Sequence, residues 1–315
     1  MDTLLNLRAF LAAARHGSFS EASRQMHVVP SVVAKRVTEL ERTTHSQLFM
    51  RSTRQLVLTD AGQKFLSSAS ALVAEFDAVM GSMKRQDGVL EGHIRVKMPT
   101  TLTVLYLANI VSAFQSENER ITMEVVLVDR TINPIEEGYD VVVTGLPESY
   151  EGVTDIPLCP LKRIVCASPA YLRKQRMPEH PRDLADHDCL VFRPKGPSWQ
   201  FESPAGPISV DVPQKLVTND NYILFSSARA GNGVAVLPEY LVRDSLRDGS
   251  LQVVLSEFPL RATWLKALVP NRRERLPHIV AFTDWLRRHL ANSPPWDAAP
   301  DNNPEATTPA GNAGD

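Results

Sequence analysis

The chain has 315 residues, with 34 Lys+Arg against 36 Asp+Glu, a formal net charge of -2, 43% hydrophobic and 22% charged residues. That is the composition of an ordinary globular protein of roughly two domains, and the whole-chain charge argues against a simple polycation that coats nucleic acid. A membrane span is excluded because no apolar run approaches ~20 residues. Arg8, Arg15 and His16 break the first apolar stretch, so no secretory leader is expected. Cys159, Cys166 and Cys189 are an odd set without CxxC spacing, which excludes a disulfide framework or zinc site and predicts a cytoplasmic protein with no metal and no cofactor.

The charge is unevenly spread. Residues 1–58 hold Arg8, Arg15, Arg24, Lys35, Arg36, Arg42, Arg51 and Arg54 against Asp2, Glu21, Glu39 and Glu41. Leu4, Leu7, Phe10, Leu11 and Ala14 recur at helical spacing, so 3–15 is a first amphipathic helix, stopped at His16-Gly17. Ser18 or Ser20 caps a second, short helix over about 20–27. Pro30 opens a third, with Val33, Val37 and Leu40 inward and Ser31, Ala34, Lys35, Thr38 and Arg42 outward. Two short helices across a tight turn, the second basic on its outer face, form a helix-turn-helix. Leu48-Phe49, then Met50 to Arg54, then Gln55 to Leu58 read as a two-stranded wing with Arg51 and Arg54 near its tip.

Thr59-Asp60-Ala61-Gly62 caps a long helix ending near Gln86. Phe65, Ala69, Leu72, Phe76, Val79 and Met83 are spaced as an a/d seam, widened by Leu66, Val73 and Met80. So wide a stripe needs a cover, either the helix's own domain or a second copy of the chain. After a hinge at Gly88 to Gly92, strands at 93–98, 121–128 and 139–145 alternate with a helix from about Thr100 to Phe114, predicting α/β units on a parallel sheet. A second α/β unit starts near Leu161, with a strand at 163–168 and a helix at 221–230. A strand at 264–269 and a helix at 276–290 close the chain. Residues 293–315 carry Asp297, Asp301, Glu305 and Asp315 without Lys or Arg, and their Pro, Ala and Asn content predicts a disordered acidic tail.

The text FLAAARHGSFSEASRQMHVVPSVVAKRVTELERTTHSQLFMRSTRQLVLTDAGQKFL, residues 10–66, resembles the LysR-type transcriptional regulators of bacteria at many positions. The resemblance implies a helical, winged helix-turn-helix DNA-binding domain (1–58), a linker helix pairing two chains (59–87), and an effector-binding part (88–292). That last part is implied to be two α/β lobes of periplasmic-binding-protein type, one about 92–160 plus 264–292 and the other about 161–263. Residues 30–42 are then placed in the major groove, with Ser31, Val32, Lys35 and Arg36 approaching bases or phosphates and Arg51 and Arg54 serving the wing. Val29 and Ala34 depart from the family, which commonly has Ser or Thr at both positions. A homodimer through 59–86, and a homotetramer built from it, follow from the same resemblance.

Ligands of such sheets sit at the carboxyl ends of strands near helix N-termini. Thr100, Thr101, Arg130, Gly145, Ser168 and Asn219 occupy those ends and predict a small-molecule effector, an organic acid whose carboxylate meets Thr100 and Thr101 between the lobes. The alternative is that these threonines only cap a helix. Two rival functions are a cytoplasmic small-molecule-binding protein and an enzyme built on the two-lobed part. The chain lacks Gly-x-Ser-x-Gly, P-loop, HExxH and dinucleotide motifs, and Asp186-His187-Asp188 has no nucleophile at a recognisable spacing and reads as a turn.

Overall fold

The computed structural model describes residues 2–51, 56–83, 90–291 and 294–297. The N-terminal helices are α1 (Thr3–His16), α2 (Phe19–Gln25) and α3 (Pro30–Thr44), followed by strands β1 (Phe49–Arg51) and β2 (Leu56–Leu58) and helix α4 (Asp60–Met83). α1 ends where Gly17 takes a left-handed φ of 62° and returns its N–H to the Ala13 carbonyl. Ser18 then caps α2 through the Glu21 N–H. β1 and β2 pair antiparallel from Phe49↔Leu58 to Arg51↔Leu56, which makes the wing.

One core holds this head together. Leu7, Phe10, Ala13, Ala22, Val33, Val37, Leu40, Leu48 and Phe49 are buried in it, and so are Ala69 and Val73 of α4. The Phe10 ring lies 5.4 Å from that of Phe49 and 5.4 Å from that of Phe65. The inward positions of α4 are thus spent on its own head, while Leu72 and Phe76 on the same helix stay 55% and 44% exposed. The predicted single seam is therefore two faces, one covered within the chain and one open. The predicted Gly88 hinge lies outside the described residues, and so do residues 84–86 of the helix.

The next stretch runs β3 (Gly92–Met98), α5 (Thr100–Leu102), a π-helical turn (Thr103–Leu107), α6 (Ala108–Glu117), β4 (Ile121–Leu127), α7 (Pro134–Glu137), β5 (Val141–Thr144) and β6 (Val153–Leu161). It continues through β7 (Arg163–Ala167), α8 (Pro169–Leu172), a 3-10 turn (Pro181–Asp186), β8 (Cys189–Phe192), β9 (Ser198–Phe201), β10 (Ile208–Asp211) and β11 (Gln214–Thr218). The last elements are α9 (Asn221–Arg229), β12 (Val234–Pro238), α10 (Glu239–Arg247), β13 (Gln252–Val253), β14 (Thr263–Pro270) and α11 (Pro277–Leu290).

Two five-stranded sheets result, ordered β4-β3-β5-β14-β6 and β11-β8-β12-β7-β13. Neither is all-parallel as the strand–helix alternation predicted. β3 pairs parallel with β4 and β5, but β14 pairs antiparallel with β5. In the second sheet β8 pairs parallel with β11 and β12, whereas β7 is antiparallel to β12 and β13. β7 follows β6 after Lys162 alone and β14 follows β13 without an intervening helix, so neither is reached through a crossover helix.

Contacts divide the chain into one unit of Met1–Thr100, Val111–Ile156 and Lys266–Thr283 and another of Thr101–Ile110, Pro157–Leu265 and Asp284–Asp315. The predicted lobe limits at 160 and 264 shift accordingly, because β6 and β14 each pass from one unit to the other within their own length. Residues 101–110 also belong with the second unit rather than with the first. The acidic tail needs a correction as well. Trp296 is only 7% exposed, its ring 5.6 Å from Tyr106 and 5.8 Å from Tyr240, all in the second unit. Arg243 bonds the Trp296 carbonyl and pairs with Asp297 at 2.9 Å, so 294–297 is part of the fold. One docked indole outweighs a composition that averages over its polar neighbours.

Candidate nucleic-acid interface and effector residues

α3 presents its outer face from the N-terminus. Ser31 and Lys35 are exposed, Val32, Ala34 and Arg36 are partly covered, and Val33, Val37 and Leu40 point into the core. Val29 is the N-cap and provides no side-chain capping bond. Arg42 is tied to Glu39 at 2.7 Å, which lowers the Glu39 carboxyl from its ordinary range chiefly through that hydrogen bond. Arg51 closes β1, and Arg54 lies outside the described residues.

Two polar contacts fix the wing to the recognition helix. The Glu41 carboxylate Oε1 accepts from the backbone N–H of Leu48 at 2.9 Å and of Phe49 at 3.1 Å. A charge-assisted acceptor on α3 thereby sets where β1 begins. Thr59 Oγ1 donates to the Gln47 carbonyl at 2.6 Å and accepts from Gly62 N–H at 2.9 Å, capping α4. A Cβ on Gly62 would meet the Leu48 carbonyl oxygen at 2.1 Å, so α4 can approach the base of the wing only with glycine there. Glu41 was readable as part of the family skeleton, but its role was not, since its partners are backbone groups seven and eight residues on.

The effector residues fall into both units. Thr100, Arg130 and Gly145 belong to the first, and Thr101, Ser168 and Asn219 to the second. The Thr100 N–H already donates to Asp129 Oδ2 at 3.0 Å. Arg130 makes a two-armed pair with Glu137, 2.6 Å in each arm. Thr101 Oγ1 donates to Asp220 Oδ2 at 3.2 Å, beside Asn219, and Asp220 also caps α9 through the N–H groups of Tyr222 and Ile223. Ser168 is buried and accepts from Tyr171 N–H, capping α8. The Thr100 N–H, the Thr101 hydroxyl and the Arg130 guanidinium are therefore each engaged by a carboxylate of the chain itself.

Sequence reasoning passed over Lys97, an alternating strand position that reads as solvent-facing. It is 1% exposed on β3. Burial pushes its ammonium down to about 8, opposed by the nearby Asp129 carboxylate. The three cysteines are buried, and burial raises each thiol to about 12, which removes the thiolate that oxidation needs. His187 of the Asp-His-Asp run is buried with Nδ1 3.0 Å from the Tyr171 hydroxyl, and His180 caps the 3-10 turn through Arg182 N–H.

Comparison with known proteins decides the family. A profile described as the LysR substrate binding domain matches residues 87–291, and one described as the bacterial regulatory helix-turn-helix protein, lysR family, matches residues 4–63. This chain belongs to the LysR family of transcriptional regulators. The HTH-type regulator PtxR of Pseudomonas aeruginosa is 27% identical over 294 residues, covering 92% of this chain and 94% of the relative. The full-length structure of the Vibrio cholerae virulence activator AphB matches with a TM-score of 0.59 at 23% identity, over 91% of this chain and 99% of that one. The LysR-type regulator CrgA from Neisseria meningitidis matches with a TM-score of 0.56 at 25% identity, over 90% and 97%. The architecture of this LysR-type regulator is accordingly a DNA-binding helix-turn-helix head followed by a two-lobed α/β regulatory part. Among the described residues no helix is long and apolar enough to cross a membrane.

Proposed function

We propose that this regulator acts in the cytoplasm as a homodimer through residues 59–86, doubled to a homotetramer, and that a small-molecule effector changes how it binds or bends promoter DNA. The observation that carries the reading is the head. Three helices and a two-stranded wing share one aromatic core, and that core leaves Ser31 and Lys35 on the outer face of α3. In this reading α3 enters the major groove with Ser31, Val32, Lys35 and Arg36, while Arg51 and Arg54 of the wing hold phosphate or enter the minor groove. The open Leu72–Phe76 face of α4 supports pairing with a second copy, and two-fold pairing matches a two-half-site operator. The family's substrate-binding description over 87–291 supports the effector. No catalytic step is proposed.

An organic acid remains the effector class to test first. At Thr101 it has to displace Asp220, so its affinity should fall when the hydroxyl is lost and rise when the competing carboxylate is. Calorimetry of the full chain with a panel of small carboxylates, repeated on Thr101→Val and Asp220→Asn, reads both. DNA binding is tested by selecting duplexes from a randomised pool at low salt. The selected duplexes should then bind Arg51→Ala more weakly at every sequence, with the slope of log K against log salt reduced by about 1. Retention of no duplex at low salt would sink the regulator reading.

A further inference from the structure

The start of the recognition helix is apolar on its outside. Val28, Val29 and Pro30 are all exposed, Val29 to 59%, and Ala34, one turn along from Pro30, borders the same face. Val28 and Val29 stand outside the core of the head. The buried positions of α3 are Val33, Val37 and Leu40, and Val29 stands at an N-cap where Ser, Thr, Asp or Asn would accept a helix N–H and stabilise the fold. Valine there forgoes the cap and leaves a β-branched side chain in water. The surrounding outer positions are polar or basic, with Ser31 and Lys35 exposed beside the strip. A short apolar strip flanked by a cation and a hydroxyl complements a polyanionic surface that carries isolated apolar groups. The major groove of double-stranded DNA is such a surface, and the thymine C5-methyl is the apolar group its base edges display there.

Building on the DNA-binding reading above, we infer that Val29, Pro30 and Ala34 read thymine methyl groups in each half-site. Specificity at those positions then comes from van der Waals contact, in place of the hydrogen bonds that hydroxyl side chains at 29 and 34 would offer. Ser31 and Lys35, on either side of the strip, supply the polar contacts that hold the register. The chemistry predicts a preference for T·A pairs whose methyls face the helix N-terminus, and acceptance of 5-methylcytosine, which carries the same methyl at the same ring position.

The test uses the full chain and duplexes selected from a random pool, with each thymine replaced in turn by deoxyuridine. That exchange removes one methyl and leaves every base-pairing and groove hydrogen-bonding group in place. Gel shift at fixed salt should show a loss of about fourfold at one or two thymines per half-site, the value expected for one buried carbon. The double variant Val29→Ser/Ala34→Ser should bind thymine and uracil alike at the positions those two side chains face, leaving at most the one penalty per half-site that Pro30 contributes. Its affinity for unrelated duplex should match that of the parent, which shows the head still folded. Val29→Ser alone restores the N-cap, so a folding defect in the double variant would appear as a difference between the two variants on unrelated duplex. If selected duplexes bind and no uracil costs as much as twofold, or if every penalty survives undiminished in the double variant, the methyl-reading inference is overturned and DNA binding stands. If no duplex is retained, the DNA-binding reading is overturned, and this inference with it.

Discussion

Lys97 shows how much one residue can hold against its preference. An ammonium that is 1% exposed has lost its water, and the Asp129 carboxylate offsets only part of that cost, since the folded value still falls from 10.5 to about 8. Between those two values the unfolded chain binds the proton and the folded chain does not. Folding stability contributed by this group therefore rises with pH across the window from about 8 to 10.5 and is at its lowest below it. The full span corresponds to about 3 kcal/mol as a ceiling. Urea unfolding of the parent and of Lys97→Met at pH 7.5 and at pH 10 should show the parent gaining on the variant at the higher pH. Parallel pH dependence of the two midpoints would contradict the assignment. The same residue shows why position alone misleads: along β3, Val96, Lys97 and Met98 are all buried, so the alternation that marks a half-exposed strand fails where the strand is covered on both faces.

At the scale of elements, α4 divides its apolar residues between two tasks. Ala69 and Val73 complete the head core, and Leu72 and Phe76, four residues apart, form an open apolar face. An aspartate at Ala69 would unfold the head, whereas Leu72→Asp/Phe76→Asp should leave helix content unchanged and shift the proposed tetramer to a smaller species in sedimentation equilibrium. Operator affinity should drop by more than tenfold, because heads no longer paired through α4 engage the two half-sites separately. An oligomeric state unchanged by both aspartates would place the pairing surface elsewhere. The sequence made α1, α3, the wing, β3, α9 and α11 legible because each has its own periodicity and punctuation. It hid β6, whose Pro157 and Pro160 read as strand breakers, and the β9–β10 hairpin, whose four-residue strands are too short to carry an alternation. The π-turn at Thr103–Leu107 was hidden too, since its i→i+5 bonding leaves no mark on residue type. Of the effector residues, the sequence could place Thr100, Thr101, Arg130 and Asn219 at strand ends and helix starts. It could not show that Asp129, Asp220 and Glu137 already occupy the polar groups among them, because those carboxylates come from other elements or a later turn.

For the whole molecule, the net charge of -2 is an average over parts that do different work. The head carries eight basic residues against four acidic ones, seven of the eight on α1 to β1. The acidic end divides, since Asp297 pairs with Arg243 inside the second unit, leaving Asp301, Glu305 and Asp315 beyond the described residues. The segment 294–297 acts as a strap. Trp296, Tyr106 and Tyr240 form a triangle with ring centroids 5.6, 5.8 and 5.8 Å apart, which joins the end of the chain to the π-turn and to α10. Aromatic pairs at such spacings add about 1 kcal/mol each beyond the area they bury. Arg243 closes the strap by bonding the Trp296 carbonyl, so indole and guanidinium should act as one unit. Trp296→Ala is expected to destabilise the chain by about 3 kcal/mol, below the value for an interior tryptophan wherever the freed strap rehydrates. Arg243→Ala alone should cost less, and the double variant should cost about as much as Trp296→Ala, since a segment undocked by loss of the indole carries the carbonyl at 296 and the Asp297 carboxylate away from the guanidinium. Thermal melts of the three variants give this cycle directly. Strictly additive losses would mean that Trp296 and Arg243 stabilise separate parts of the second unit and that no strap exists.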